Sequence, residues 1–352
     1  MIKTTLTLSR AELKERWTEF KSLNPKTRVR DAARALKTTE AELVATGIGE
    51  STILLGDSFR ELLMEVGALG HVMALTRNDH VVHERKGVYE NVSFNNHVGL
   101  VLGQDIDLRL FMNDWRFGFA VAENDRYSLQ FFNSNGDAAH KIYLTEKSNK
   151  GAYDTLVNKY RAVDQDMVLL VTPRPEKNSE EVVQHDIDVA AFQREWLELK
   201  DTHDFFALLR KYKLTRKQAL RNAPAGYAYR IKPERMKAVF ERASETQVPI
   251  MVFVSNPNCM QIHTGPIKKI FVMGPWLNIM DPEFNLHLLE DAIDEAWVVR
   301  KPCEAGIVTS IELIDQEGTM FNQFFGKRKP GIPELPEWTK LVTDTVIKYG
   351  AE

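Results

Sequence analysis

The chain can be laid over itself, and this constrains its fold more than any other feature of the sequence. Sliding the first half along the second by 178 positions pairs Met73 with Met251, Asn78 with Asn256, Gly87 with Gly265, Leu108 with Leu286, Leu110 with Leu288 and Val121 with Val299. Such identities, over about 50 positions, are about twice what composition alone supplies, and the order of features is stronger. At a shifted offset Ser128-Leu129-Gln130-Phe131-Phe132 followed by NSNG matches Ser310-Ile311-Glu312-Leu313-Ile314 followed by DQEG. Earlier, Lys26-Thr27-Arg28 answers Leu214-Thr215-Arg216, each after a helical stretch. The pattern is that of a diverged tandem duplication, in which each half must build a core from the same succession of elements.

The stretch Thr172 to His185 is rich in Pro, Glu, Asn and Ser, has no apolar period, and reads as a linker. The expected division is a repeat over 1–171, a linker over 172–188 and a second repeat over 189–352. Each half opens on helices, Ala11–Leu23 or Val189–Tyr212, followed by a shorter one near Arg28–Leu36 or Arg216–Asn222. Strands follow. Pro249–Val254, Met260–Thr264, Ile267–Met273 and Trp276–Met280 are short apolar runs separated by SNPN, Gly265-Pro266 and Gly274-Pro275, a meander signature. NSNG and DQEG lie between alternating runs and read as hairpin turns. Runs of strands after runs of helices predict an α+β fold, not a βαβ alternation.

With 352 residues, 46 Lys+Arg against 49 Asp+Glu, a net charge of -3 and 43% hydrophobic residues, the chain is globular and long enough for two domains. An acidic excess argues against a nucleic-acid coat, which needs a surplus of cations. Cys259 and Cys303 are too few for a disulfide framework or a cysteine zinc site and fit a reducing compartment. The N-terminus, charged every few residues, is not expected to be a signal peptide, and no run approaches the length of a membrane span.

Phosphate loops, GxGxxG, HExxH, GxSxG and EF-hand loops are absent from the sequence. His80 and His83 read as surface histidines on opposite faces of a strand end. Phe192, Trp196, Leu199, His203 and Phe206 follow at steps of 4, 3, 4 and 3, which predicts an imidazole inside the apolar stripe of a helix. A histidine there is either a satisfied core residue or a ligand facing a cavity; an iron axial site needs its unprotonated nitrogen. In Asp105–Phe111, Ile106, Leu108 and Leu110 share one strand face, and Asp107, Arg109 and Phe111 the other. Arg109 is either a solvated charge or a polar head aimed into a pocket, and its repeat partner is His287. Lys301, Arg328 and Lys329 form either a solvated edge or a clamp for an anionic ligand.

The run Leu199–Leu209 with Leu214-Thr215-Arg216 after it resembles the haem-utilisation family of HemS, HmuS, ChuS and PhuS. So do Asp107–Phe111 before Trp115, Trp276–Ile279, Leu286–Glu290 and Ala296–Pro302, and the likeness covers nearly the whole chain. The resemblance implies a cytosolic haem-binding protein of Gram-negative bacteria, downstream of an outer-membrane receptor and an ABC importer. It implies two similar halves, each with a large antiparallel sheet and flanking helices, with haem held in a cleft between them. It assigns the iron ligand to His203 and the opposite haem face to Arg109. Propionate and wall contacts fall to Arg216, Lys301, Gln323 and Arg328, with Phe111, Met251 and Phe253 as apolar lining. Phe325 stands where relatives often carry a tyrosine, so one hydroxyl contact is missing.

Two functions are consistent with that resemblance. The first is sequestration of imported haem and its transfer to a partner such as a haem oxygenase. The second is degradation of the porphyrin with release of iron, in which Arg109 and His203 are the catalytic residues and electrons come from an external donor. A haem-responsive DNA regulator has little support in a chain of this charge with no recognisable reading helix.

Overall fold

The computed structural model describes residues 9–96, 98–174, 187–329 and 331–347. Most of the expected linker, 175–186, lies outside the described residues. In the first half a Ser9 capping box opens α1 (Arg10–Leu23), followed by α2 (Val29–Leu36) and α3 (Glu40–Ala45), the last also started by a capping box, from Thr39 and Glu42. Next come β1 (Thr52–Leu55), α4 (Phe59–Glu65), β2 (Gly70–Arg77), β3 (Val81–Gly87), β4 (Ser93–Phe94), β5 (Gly99–Leu102) and β6 (Asp107–Leu110). The half closes with β7 (Trp115–Glu123), β8 (Arg126–Asn133), β9 (Ala138–Ser148) and α5 (Lys150–Tyr160).

The second half repeats the sequence of elements. It runs α6 (Val189–Leu197), α7 (Asp204–Tyr212), α8 (Arg216–Arg221), β10 (Ala228–Ile231), α9 (Arg235–Thr246), β11 (Ile250–Asn256) and β12 (Cys259–Gly265). Then follow β13 (Ile270–Met273), β14 (Trp276–Met280), β15 (Phe284–Leu289), β16 (Glu295–Cys303), β17 (Gly306–Ile314), β18 (Met320–Gly326) and α10 (Pro336–Val342). Among the described residues, short 3-10 and π turns aside, both halves thus read three helices, a strand, a helix, eight strands and a closing helix, and the α+β expectation holds.

Two compact units form, with a small exchange of chain. The first takes in the chain up to Thr76, the stretch from Lys86 to the linker, and Pro257–Cys259; the second takes in Arg77–Arg85, the chain from the linker to Asn256, and everything from Met260 on. Inside the first, β1-β7-β8-β9-β2 make an antiparallel run, and β4-β5-β6 a smaller one. Inside the second, β10-β16-β17-β18-β11 and β13-β14-β15-β3 do the same. Even the register is repeated. Val121 faces Ser128 and Ser128 faces Tyr143, as Val299 faces Ser310 and Ser310 faces Phe325. The β8–β9 and β17–β18 hairpins both close on a glycine with positive φ, Gly136 at 74° and Gly318 at 80°, where a side chain would be strained.

Each five-strand run is covered on both faces. In the second unit Met236, Val239 and Phe240 of α9 and Trp338 of α10 pack against Val298, Ile311 and Phe324. On the other face Phe192, Trp196, Phe205 and Leu208 of α6 and α7 pack against Trp297, Val299 and Ile314. The first unit matches, with α4 and α5 on one face and Ala41 and Ala45 of α3 on the other. His83, expected at a surface, is instead buried on β3 with its ring 5.0 Å from that of Phe284; the strand continues through it, so its face is the covered one.

Candidate functional site

Register alone gathers half of the expected site residues. Across β16, β17, β18 and β11, Lys301 lies two residues along from Val299, which faces Ser310; Glu312 faces Gln323, Ser310 faces Phe325, and Phe325 and Gln323 face Met251 and Phe253. Side chains two apart on a strand share a face, so these residues stand on the side of the sheet that carries α6, α7 and α8. The helices cover it incompletely: Met251, Phe253, Gln323 and Phe325 are half-buried, and Phe253 meets Phe325 edge-on at 5.0 Å. α8, started by the Thr215–Gln218 capping box, brings Arg216 over this face.

Glu312 is the centre of the arrangement and was not singled out from the sequence. Its carboxylate has no exposure and accepts from Arg216 Nε and Nη2 at 2.6 and 2.7 Å, Lys301 Nζ at 2.7 Å, Gln323 Nε2 at 3.1 Å and Ser310 Oγ at 3.2 Å. Burial by itself would push this carboxyl up; the charges and hydrogen bonds of Arg216 and Lys301 outweigh it and hold the group well below the usual carboxylate range. Burial pulls the Lys301 ammonium down to about 8, with Glu312 opposing and Arg216 adding to the fall. Phe205 lies under both cations, 5.3 Å from the Arg216 guanidinium and 4.7 Å from Lys301 Nζ. Lys301 is therefore not part of a solvated edge. The available sequence signal was a carboxylate inside the apolar run SIELI, aligned with the neutral Gln130 of the first copy.

His203 departs from the helical-stripe expectation. The helix breaks after Leu197, and His203 is the residue before α7, with φ -70° and ψ -27°. Its side chain is 90% exposed. Asp201 holds it: Oδ1 accepts from the His203 backbone N–H at 2.8 Å and lies 2.6 Å from Nδ1. The Asp201 carboxyl is lowered first by that backbone bond, with further lowering from the imidazole and from the charge of Arg328. Phe206, one turn on, is 64% exposed. Arg328 follows β18, and its Nε is buried with no protein acceptor among the described residues.

Arg109 and Phe111 belong to the first unit. The strand faces are as expected, with Ile106, Leu108 and Leu110 buried and Arg109 half-buried. Arg109 donates to Asp107 and to the Leu108 carbonyl, so it is neither free in solvent nor unanchored. Phe111 is fixed through its backbone N–H, 2.9 Å from the Asn258 carbonyl. In the duplicate, His287 replaces Arg109 and bonds Asn278 at 2.6 Å.

The capping box of α8 answers that of α3, so Thr215-Arg216 corresponds to Thr39-Glu40, not Thr27-Arg28. By register, Glu312, Gln323 and Phe325 correspond to Gln130, Lys141 and Tyr143, and these line a cavity of about 270 Å³ in the first unit. There Lys141 is paired with Glu40 at 2.6 Å. The first copy keeps the place but holds one neutral pair where the second holds two cations on one anion.

A wide apolar face, fixed cations at its edge and one exposed imidazole with its Nδ1 occupied suit a flat metal macrocycle bearing carboxylates. The haemin-degrading HemS/ChuX domain matches residues 37–160 and 213–345. The chain belongs to this family. Hemin transport protein HmuS of Yersinia pestis is 36% identical over 343 residues, covering 96% of this chain and 98% of that protein. Holo-PhuS, described as a haem-binding protein from Pseudomonas aeruginosa, superposes with a TM-score of 0.93 at 44% identity over 98% of this chain and 100% of that one. The Escherichia coli O157:H7 protein ChuS, described as a haem-degrading enzyme, gives a TM-score of 0.88 at 34% identity, covering 96% and 100%. Among the described residues, no helix of this HemS/ChuX member is long and apolar enough to cross a membrane.

Proposed function

We propose that this HemS-family protein binds haem, sequesters it after import and passes it on for iron acquisition. The observation that carries the reading is the sheet face on which Met251, Phe253 and Phe325 adjoin Gln323, Lys301 and Arg216. Apolar side chains there take the macrocycle and the cations take its propionates, with Arg328 as a further donor. His203 Nε2 is the iron ligand, since a carboxylate accepts only and so leaves the Nδ1 proton on the Asp201 side. Arg109 and Phe111 are further haem contacts. The protein works in the cytoplasm, receiving haem from an ABC importer and giving it to a haem oxygenase.

A second reading is that the protein itself degrades haem, and the family description and the description of ChuS favour it. Haem then supplies the iron and the ring to be opened, Arg109 and His203 are the catalytic residues, and an external donor supplies electrons. One experiment separates the readings: add a reductant to the haem-loaded protein under air, with and without catalase. A defined tetrapyrrole product that forms with catalase present and is lost in Arg109→Ala marks an enzyme. A change that catalase abolishes marks a carrier.

A further inference from the structure

Arg216 and Lys301 approach one another beneath a single carboxylate, and without that counter-ion the half-buried guanidinium and the buried ammonium would repel, so that Lys301 sheds its charge or one of them turns toward water. Glu312 prevents this and sets their direction. Nε and one hydrogen of Nη2 of Arg216 go to Glu312, so Nη1 and the second Nη2 hydrogen remain for another acceptor. Lys301 gives Glu312 one of its three hydrogens, and Gln323 one of its two amide hydrogens. Two cations and one anion leave the cluster at net +1. In the first copy the corresponding Gln130 is neutral and donates to Ser128 at 3.0 Å, so the carboxylate is particular to the second copy.

We infer that Glu312 is the positioning residue that gives the second unit its preference for a porphyrin with free carboxylates. The inference rests on the haem-binding reading above. Glu312 has no exposure and does not touch the ligand; it acts through Arg216, Lys301 and Gln323, holding them charged and aimed at the open face. The charged groups facing Lys301 are Glu312 from β17 and Arg216 from α8, while α7 presents the uncharged Phe205. Removing the carboxylate leaves two adjacent cations, one buried and one half-buried, with no anion between them, so one is lost as a donor for the ligand.

The test compares the dissociation constants of haem and haem dimethyl ester on the same preparations of wild type, Glu312→Gln and Glu312→Asp. Wild type prefers haem over the ester by about tenfold or more, as expected for charge-assisted bonds. Glu312→Gln brings the ratio close to one by weakening haem alone. Glu312→Asp keeps the charge balance needed for folding but withdraws the carboxylate, and its ratio also falls. Equal loss for both ligands, or an unchanged ratio in the variants, reduces Glu312 to a structural residue and overturns the inference. A wild type that does not distinguish the two ligands instead defeats the propionate-binding reading, and the inference falls with it.

Discussion

His203 Nδ1 lies 2.6 Å from Asp201 Oδ1, and the same oxygen accepts the His203 backbone N–H. A side chain only two residues away thus fixes the ring's rotation and tautomer before any ligand arrives, while leaving Nε2 outward. Such a carboxylate also raises the donor strength of the imidazole. Asp201→Asn should weaken haem binding by about tenfold and shift the Soret band without abolishing it. His203→Ala should weaken binding further and remove the ordered spectrum. Absorption titrations decide both, and an unchanged spectrum in His203→Ala would sink the ligand assignment.

Arg109 is held by Asp107 and Leu108 within its own strand, so truncating it leaves the β5–β6 pairing intact. Arg109→Ala should keep the melting temperature and haem affinity near wild type while shifting the charge-transfer band of the loaded protein. Identical spectra would place Arg109 away from the haem.

Arg328 carries a buried Nε without an acceptor among the described residues, a costly state that a ligand carboxylate relieves. Arg328→Ala should weaken haem by about tenfold and its dimethyl ester much less. Equal losses would remove the propionate role.

Because burial pulls the Lys301 ammonium down to about 8, the free protein loses this cation as pH rises through that value. A carboxylate ligand favours the protonated form, so haem affinity should decline above about 8 while ester affinity stays level. Titrations at a series of pH values check this; parallel profiles for the two ligands would refute it.

His140 gives the first unit a separate acid sensitivity. It is fully buried between Tyr89 Oη at 2.6 Å and Thr76 Oγ1 at 2.9 Å, and burial lowers it to about 3. The unfolded ring binds a proton near 6.5, so between about 6.5 and 3 the unfolded state takes up more protons than the folded one. Stability therefore falls as pH drops through this window, by several kcal/mol in all as an order of magnitude. Thermal melts of wild type and His140→Asn from pH 7.5 to 5 should show a shallower slope in the variant. The register puts Asn322 at the matching place in the second unit.

The duplication and the strand faces were readable because they depend on period and turn residues, which are local. Ile106, Leu108 and Leu110 point inward where alternation puts them, and Gly136 and Gly318 turn where NSNG and DQEG stand. His203 falls outside the helices although the spacing from Phe192 to Phe206 runs unbroken across residues 198–203, where the chain leaves the helix. Periodicity carries no mark of that break. Glu312 carries no such local signal, because its meaning depends on Arg216, which lies 96 residues away in the chain. A charge inside an apolar strand signals a buried partner but not which one.

The exchange of chain between the units has a consequence for synthesis. Asn258 accepts from the Phe111 backbone N–H and from the Trp115 indole, and its side chain accepts from Asn133, all within the first unit. Those donors are made long before their acceptor leaves the ribosome. The amino-terminal unit thus stays unfinished through most of translation, and a chain cut at the linker would expose both rings' surroundings to chaperones and proteases rather than yield a self-sufficient half.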